Sequence, residues 1–160
     1  AAALGGARHV TSVDIAKNGH VAGQRSFAEN GVSPEAHAWI TSDAFVFLEK
    51  ARARGDVWDL VICDPPSFAP NERAKLRALS AYRKLHAACA RVLAKEGILC
   101  AASCSSHVDA EELLTTLDGA SVGRDLSLVA MYGQPEDHPT LPAWPEGRYL
   151  KLAVLAGGGA

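Results

Sequence analysis

The stretch WDLVICDPP, Trp58 to Pro66, limits the fold more than any other part of the chain. Leu60 to Cys63 are apolar without a break and run straight into Asp64 and two prolines. An apolar run with no polar alternation predicts a strand covered on both faces, as in the centre of a parallel sheet. Pro65 and Pro66 lack backbone donors and fix φ, so the chain leaves this strand stiffly and cannot extend the ladder. A carboxylate is therefore expected at the tip of a buried strand, with the next carbonyls held in set directions. A plain Pro-Pro turn would fit the same residues.

The remaining pattern agrees with such a sheet. A β-branched run, Val10 to Val13, ends at Asp14, and a helix is expected from Lys17 to Asn30, stopped by Gly31. AHAWITSDA predicts a strand ending near Thr41. Ser42 or Asp43 can cap the helix AFVFLEKARARG, which Gly55 ends. After the prolines, ERAKLRALSAYRKLHAACARVLAKEG reads as one helix with Leu76, Leu79, Tyr82, Leu85, Cys89, Val92 and Leu93 on one face. GILCAASCS predicts a buried strand, and HVDAEELLTTLDG a helix that Asp109 can cap. SLVAMYG and RYLKLAVLA predict two last strands, joined by the proline-rich loop GQPEDHPTLPAWPEG. Strand and helix thus alternate, which predicts an α/β fold: a doubly wound, mostly parallel sheet with a final antiparallel strand pair. One domain is expected over 1–156, with 157–160 a flexible tail. The opening AAALGGARHV has no Met and resembles the last turn of a helix, so the chain reads as cut from a longer one.

Composition narrows the class. The 160 residues are 48% apolar and 21% charged, ordinary for a globular protein, and the net charge of −2 advertises no overall basic field. No apolar run approaches the roughly 20 residues of a membrane span. The four cysteines, Cys63, Cys89, Cys100 and Cys104, have no CxxC spacing, which predicts reduced thiols in a cytoplasmic protein and no metal site.

In open α/β sheets ligands bind beyond the carboxyl ends of the strands. Those ends carry Asp14, Asp43, Asp64 and Cys104. An acid at the first position can accept from both hydroxyls of a ribose, though Asp14 would also serve as a turn acid or cap. Asp43 sits where an adenine would lie if Asp14 held its ribose, and it fits an N-cap better. Asp64 suits a grip on a planar amine or ring nitrogen. Cys104 stands among Ser103, Ser105, Ser106 and His107, where a small polar setting can expose a thiol; a small buried residue would fit as well. His86 is expected to pack or to face solvent.

Taken in order, HVTSVDIAKNG, SDAFVFLEKARARG, WDLVICDPPSFA, AYRKLHAACARVLAKEGILCAASCSSHV and DHPTLPAWPEGRYLKLAVL resemble the class I S-adenosylmethionine-dependent methyltransferases. More narrowly, the chain is similar to the catalytic domain of the ribosomal RNA large-subunit cytosine-5 methyltransferases, with a Rossmann-like fold. DPPSFA, SCSSH and PEGRYLK together carry the resemblance. It implies S-adenosyl-L-methionine as cofactor, bound by Asp14, Ile15, Asp43, Ala44, Asp64, Pro65 and Pro66. It implies a ribosomal RNA substrate met by Pro66, Ser67, Phe68 and Ser105, and catalysis by Cys104 and Asp64. The family's first strand and Gly-rich loop, and its RNA-binding module, have no counterpart in these residues.

The implied chemistry is a thiolate adding at carbon 6 of cytosine, so that carbon 5 can take a methyl group. Arg73, Lys75, Arg77, Arg83 and Lys84 could neutralise phosphates or form a solvated helix face; Trp144 could stack a base or act as a packing lid. Methylation of an exocyclic amine or of guanine N7 is the rival enzyme reading, and a binding module, including a homodimer, the rival of another class.

Overall fold

The structure is a computed structural model and describes residues 1–121 and 124–158, less the side chains of 121 and 145. The chain divides into two compact units, Ala1–Lys50 and Ala51–Ala160.

In the first unit, β1 (Thr11–Asp14) pairs in parallel with β2 (Ala38–Thr41), with Asp14 level with Thr41. Helix α1 (Lys17–Glu29) packs on the pair through Trp39. Gly23 makes this approach feasible, since a Cβ there would stand 2.7 Å from the Trp39 ring. Phe27 meets Trp39 edge-on at 5.0 Å, and the buried His20 donates from Nε2 to the Ile40 carbonyl at 3.0 Å. Gly31, at φ 72°, follows the end of α1 as expected. Helix α2 (Ala44–Arg54) starts in this unit and is followed by Gly55, at φ 78°.

The second unit holds β3 (Trp58–Cys63), α3 (Lys75–Arg91), β4 (Leu93–Ser103), α4 (Ala110–Ser121), β5 (Leu126–Tyr132) and β6 (Lys151–Gly157). The sheet order is β3-β4-β6-β5. β3 and β4 are parallel, and β6 runs antiparallel to both its neighbours, so it alone points against the other three. The predicted fold class holds, with the last strand inserted between β4 and β5. One face carries Cys63, Leu99, Ala101, Ala153 and Leu155, all buried, and α3 and α4 pack on that side. Tyr82, Leu113 and Val108, each fully buried, fill the space between helices and sheet with Ala69 and Ala78.

Four expectations change. β3 is an edge strand of its sheet, and Leu60 and Ile62 on its other face are 41% and 60% exposed. Apolar residues on both faces tell what a strand can bury, and the neighbours decide what it does bury. Helix α3 stops at Arg91: Val92 turns, and Leu93 already pairs with Trp58. Val92 to Gly97 look helical because their apolar spacing continues that of α3. Leu76, assigned to the buried helix face, is 82% exposed in the first turn, whereas Tyr82, Leu85, Cys89, Val92 and Leu93 are buried. Gly157, expected in the tail, closes β6, where a Cβ would collide with Lys95 O at 2.2 Å; residues 159 and 160 lie outside the described ones.

Candidate active site

The site begins at the carboxyl ends of β3 and β4. Cys63 pairs with Ala101, so Asp64 leaves its strand level with Ala102, two residues before Cys104 on the adjacent parallel strand. Both candidate side chains therefore emerge from the same end of the sheet. Asp64 is exposed and Cys104 half-buried.

The loop after β4 is held from several sides. Ser103 Oγ donates to the buried Tyr82 hydroxyl at 3.1 Å and accepts from Ser105 N at 3.2 Å. Ser105 Oγ donates to Ala69 O at 3.3 Å, which joins this loop to the one that follows Asp64. Lys151 Nζ donates to Ser105 O at 2.5 Å and to Val108 O. It can do so because β6 brings Lys151 opposite Ser103, at the mouth of the same loop. His107 Nδ1 lies 3.4 Å from Glu72, and Lys75, which starts α3, reaches Glu112 at 2.7 Å. Asp109 and Glu112 form a reciprocal capping box: Asp109 Oδ1 accepts from Glu112 N at 2.8 Å and Glu112 Oε2 from Asp109 N at 3.0 Å. The turn behind Cys104 is thus fixed by short polar side chains whose partners come from α3, α4, β6 and the Pro-Pro loop.

The four thiols fall into different settings. Cys63 and Cys89 are buried, and the hydrogen bond from Cys89, with burial, pushes the Cys63 thiol far up. Burial also raises Cys100. Cys63 and Cys100 therefore favour the neutral, unreactive form. Cys104 lies beyond the strand and reaches solvent. The Lys151 ammonium interacts with it electrostatically; burial lowers the lysine's pKa, and Asp109, Cys104 and Glu112 oppose that shift.

In the first unit, Asp14 and Asp43 are exposed at the ends of β1 and β2. Asp14 Oδ1 accepts from Ala16 N at 2.6 Å, and Asp43 Oδ1 from Val46 N at 3.1 Å, which caps α2. The turn and cap readings are therefore realised. Each carboxylate still has a second oxygen with no hydrogen bond among the described residues. Beside Asp14, Ile15 is 76% exposed, an apolar surface next to an acid. Ala44 opens α2 and is exposed.

The other expected residues divide. Pro66 and Ser67 are exposed and Pro65 is half-buried. Phe68 turns inward, its ring 4.8 Å from that of Tyr82. Ser105 is 1% exposed, and its hydroxyl joins two loops, so it braces the site from beneath. Of the basic residues, Lys75 is paired with Glu112, and Arg83 lies against Gly119 and donates to Thr115 O at 3.5 Å; Arg73, Arg77 and Lys84 are exposed. Trp144 rests on Gly147 yet is 56% exposed. His86 packs: it is fully buried between α3 and α4. Thr116 gives its proton to Leu113 O, so His86 Nδ1–H donates to Thr116 Oγ1 at 2.9 Å. Ser103 was expected in the polar setting of Cys104, whereas Tyr82 and Lys151 were not expected at the site. A single lysine inside the apolar run LKLAVLA was the available signal for the last of them.

No family model matches the chain. Among curated proteins, the ribosomal RNA large subunit methyltransferase of Deinococcus radiodurans is 38% identical over 157 residues, covering 96% of this chain and 38% of that protein. Ribosomal RNA large subunit methyltransferase I of Klebsiella pneumoniae is 30% identical over 152 residues, 94% of this chain and 38% of that protein. The chain therefore spans under two fifths of the length of these relatives. Among solved structures, SMU.776 complexed with SAH superposes with a TM-score of 0.84 at 25% identity, over 97% of this chain and 40% of that one. An S-adenosylmethionine (SAM)-dependent methyltransferase from Agrobacterium tumefaciens, 18% identical, gives a TM-score of 0.72 over 98% of this chain and 51% of that one, a likeness of fold. The chain thus has the Rossmann-like fold of the S-adenosylmethionine-dependent methyltransferases and is, over nearly its whole length, a relative of the ribosomal RNA large subunit methyltransferases.

Proposed function

We propose that this chain is the cofactor- and base-handling part of an RNA methyltransferase that forms 5-methylcytosine in large-subunit ribosomal RNA. The observation that carries the reading is Cys104, a half-exposed thiol at the end of β4, braced by Ser105 and Lys151 beside the strand that delivers Asp64. The relatives' activity on large-subunit ribosomal RNA and the SAH held by SMU.776 support the substrate and the cofactor.

The residues fit such a cofactor. The free oxygen of Asp14 can accept from a ribose diol, the exposed Ile15 offers an apolar surface to a purine, and Asp43 with Ala44 provides a second acceptor beside a small side chain. Pro65 and Pro66 fix the direction of the carbonyls behind Asp64. When bound, S-adenosylmethionine supplies an electrophilic methyl group. Cys104, as thiolate, adds through its sulfur to carbon 6 of the cytosine, and the electron pair of the 5,6 double bond makes carbon 5 nucleophilic. Asp64 holds the ring nitrogen and amine, which orients the ring and stabilises the charge that develops. Once carbon 5 is methylated, a base takes its proton, and the C–H electron pair re-forms the 5,6 double bond and expels the Cys104 thiolate. The target nucleotide must leave its stack to reach a thiol set in a loop.

The test is Cys104→Ser in the intact protein, read by mass mapping of 5-methylcytosine. Methylation is expected to vanish, and RNA containing 5-fluorocytosine, which has no carbon 5 proton to lose, is expected to trap the parent covalently. Full turnover by the variant would replace this reading with attack by an exocyclic amine or guanine N7, which needs no thiol.

A further inference from the structure

The second unit has a cavity of about 350 Å³ that begins two residues beyond Cys104. Ser106 and Asp109 form one wall, Tyr132 at the end of β5 another, and Arg148, Leu150 and Lys151 lead into β6 on the third side. The volume lies at the low end of small-ligand sites, roughly 300–1,000 Å³, enough for one nucleotide and too little for a duplex.

The charges favour an anion. Arg148 is exposed and forms no ion pair or hydrogen bond among the described residues. Lys151 adds a second positive charge, although its protons go to the Ser105 and Val108 carbonyls. Asp109 is the opposing carboxylate, and one of its oxygens is taken by the N-terminal turn of α4. Tyr132 is 58% exposed, an aromatic ring with an open face at the end of a strand. The walls are also tied together. Gln134 Oε1 accepts from Leu150 N at 3.1 Å, which joins the two ends of the long β5–β6 loop. Gly147, just before Arg148, is buried under Trp144, where a Cβ would stand 2.8 Å from the ring.

From this geometry we infer that the cavity is a subsite for a single-stranded RNA nucleotide flanking the target base, with its phosphate on Arg148 and its base stacked on Tyr132. The inference rests on the RNA reading above and adds to it the place where the strand is gripped next to the thiol. Aromatic stacking and a guanidinium–phosphate pair are the standard means of holding an unpaired strand.

The test uses the intact protein and a short single-stranded oligoribonucleotide containing cytidine, with affinity measured over a range of salt. Arg148→Gln is expected to weaken binding and to flatten the plot of log affinity against log salt by about 0.7, the loss of one single-strand phosphate contact. Tyr132→Ala is expected to weaken binding about tenfold at unchanged salt slope, and Tyr132→Phe to restore it. In both weakened variants KM for RNA rises while kcat at saturation stays within about twofold. Both residues are exposed, so a cooperative melt like that of the parent confirms folding. Parental affinity and slope in both variants would overturn the subsite. Cys104→Ser separates the two claims. If it is inactive while Arg148→Gln and Tyr132→Ala bind normally, the subsite falls and the thiol route stands. If it is fully active while those two lose RNA, the thiol route falls and the subsite stands.

Discussion

The strand ends of the two units carry similar residues held in different ways. Among the described residues the carboxylates of Asp14 and Asp43 bond only to amides two and three residues further along, and both residues are exposed. The loops behind Asp64 and Cys104 are joined by bonds that span tens of residues: Ser105 to Ala69, Ser103 to Tyr82, Lys151 to Ser105 and Val108. The first arrangement needs only a local turn, and leaves acceptor oxygens open to a ligand. The second needs the whole packed unit, and fixes where a sulfur atom sits. The contrast suits the function proposed above, in which covalent steps demand the tighter placement.

Four measurements test that contrast, from the greatest effect to the least. Cys104→Ser should reduce methyl transfer at least about a thousandfold while leaving cofactor affinity nearly unchanged, because the proposed route makes its sulfur a reacting atom. The next concerns what stiffens the second unit. His86 is buried, and burial lowers its pKa from 6.5 to about 4, so it stays neutral in the folded state. Between those values the unfolded chain binds more protons than the folded one, so this stabilisation is present above pH 6.5 and is lost as pH falls towards 4. Denaturant titrations should show unfolding free energy falling by about 3 kcal/mol across that window, and His86→Phe should remove most of the slope. Third, Ser105→Ala strands the buried Ala69 carbonyl and unlinks the two loops, at a cost of about 1–3 kcal/mol in stability. It should also lower kcat more than it changes the affinity for cofactor. A variant as active and as stable as the parent would remove the claim that this hydroxyl sets the thiol. Last, Asp14→Asn keeps an oxygen for Ala16 N, so stability should move by less than about 0.5 kcal/mol. Calorimetry should then show cofactor binding weakened about tenfold, as a charge-assisted hydrogen bond becomes a neutral one.

Much of this was legible from residue order. Alternation of strand and helix, with Gly31 and Gly55 as stops, places in sequence the six strands and four α-helices of the described residues, and a carboxylate before two prolines marks the tip of β3. The tips could be read because the residues that make them are adjacent in the chain. What could not be read depends on partners far away. Nothing local separates Leu76, which faces water, from Leu85, which is buried, since both obey the same helical spacing. Nor does SCSSH show which serine faces a ligand and which braces a loop; Ser105 is decided by Ala69, 36 residues earlier. The start of β4 was hidden because Val92 and Leu93 continue the period of α3, while the pairing with Trp58 overrides it. The cavity beside Tyr132 was invisible for the same reason, being assembled from three separate stretches.

The reversed direction of β6 has a consequence for assembly. A strand that enters against its neighbours starts where they finish, so Lys151 arrives beside Ser103 although 48 positions separate them in the chain. During synthesis, Cys104 emerges long before the lysine that anchors its loop. Until β6 has slotted between β4 and β5, the loop behind Cys104 lacks the two bonds that Lys151 gives to the Ser105 and Val108 carbonyls.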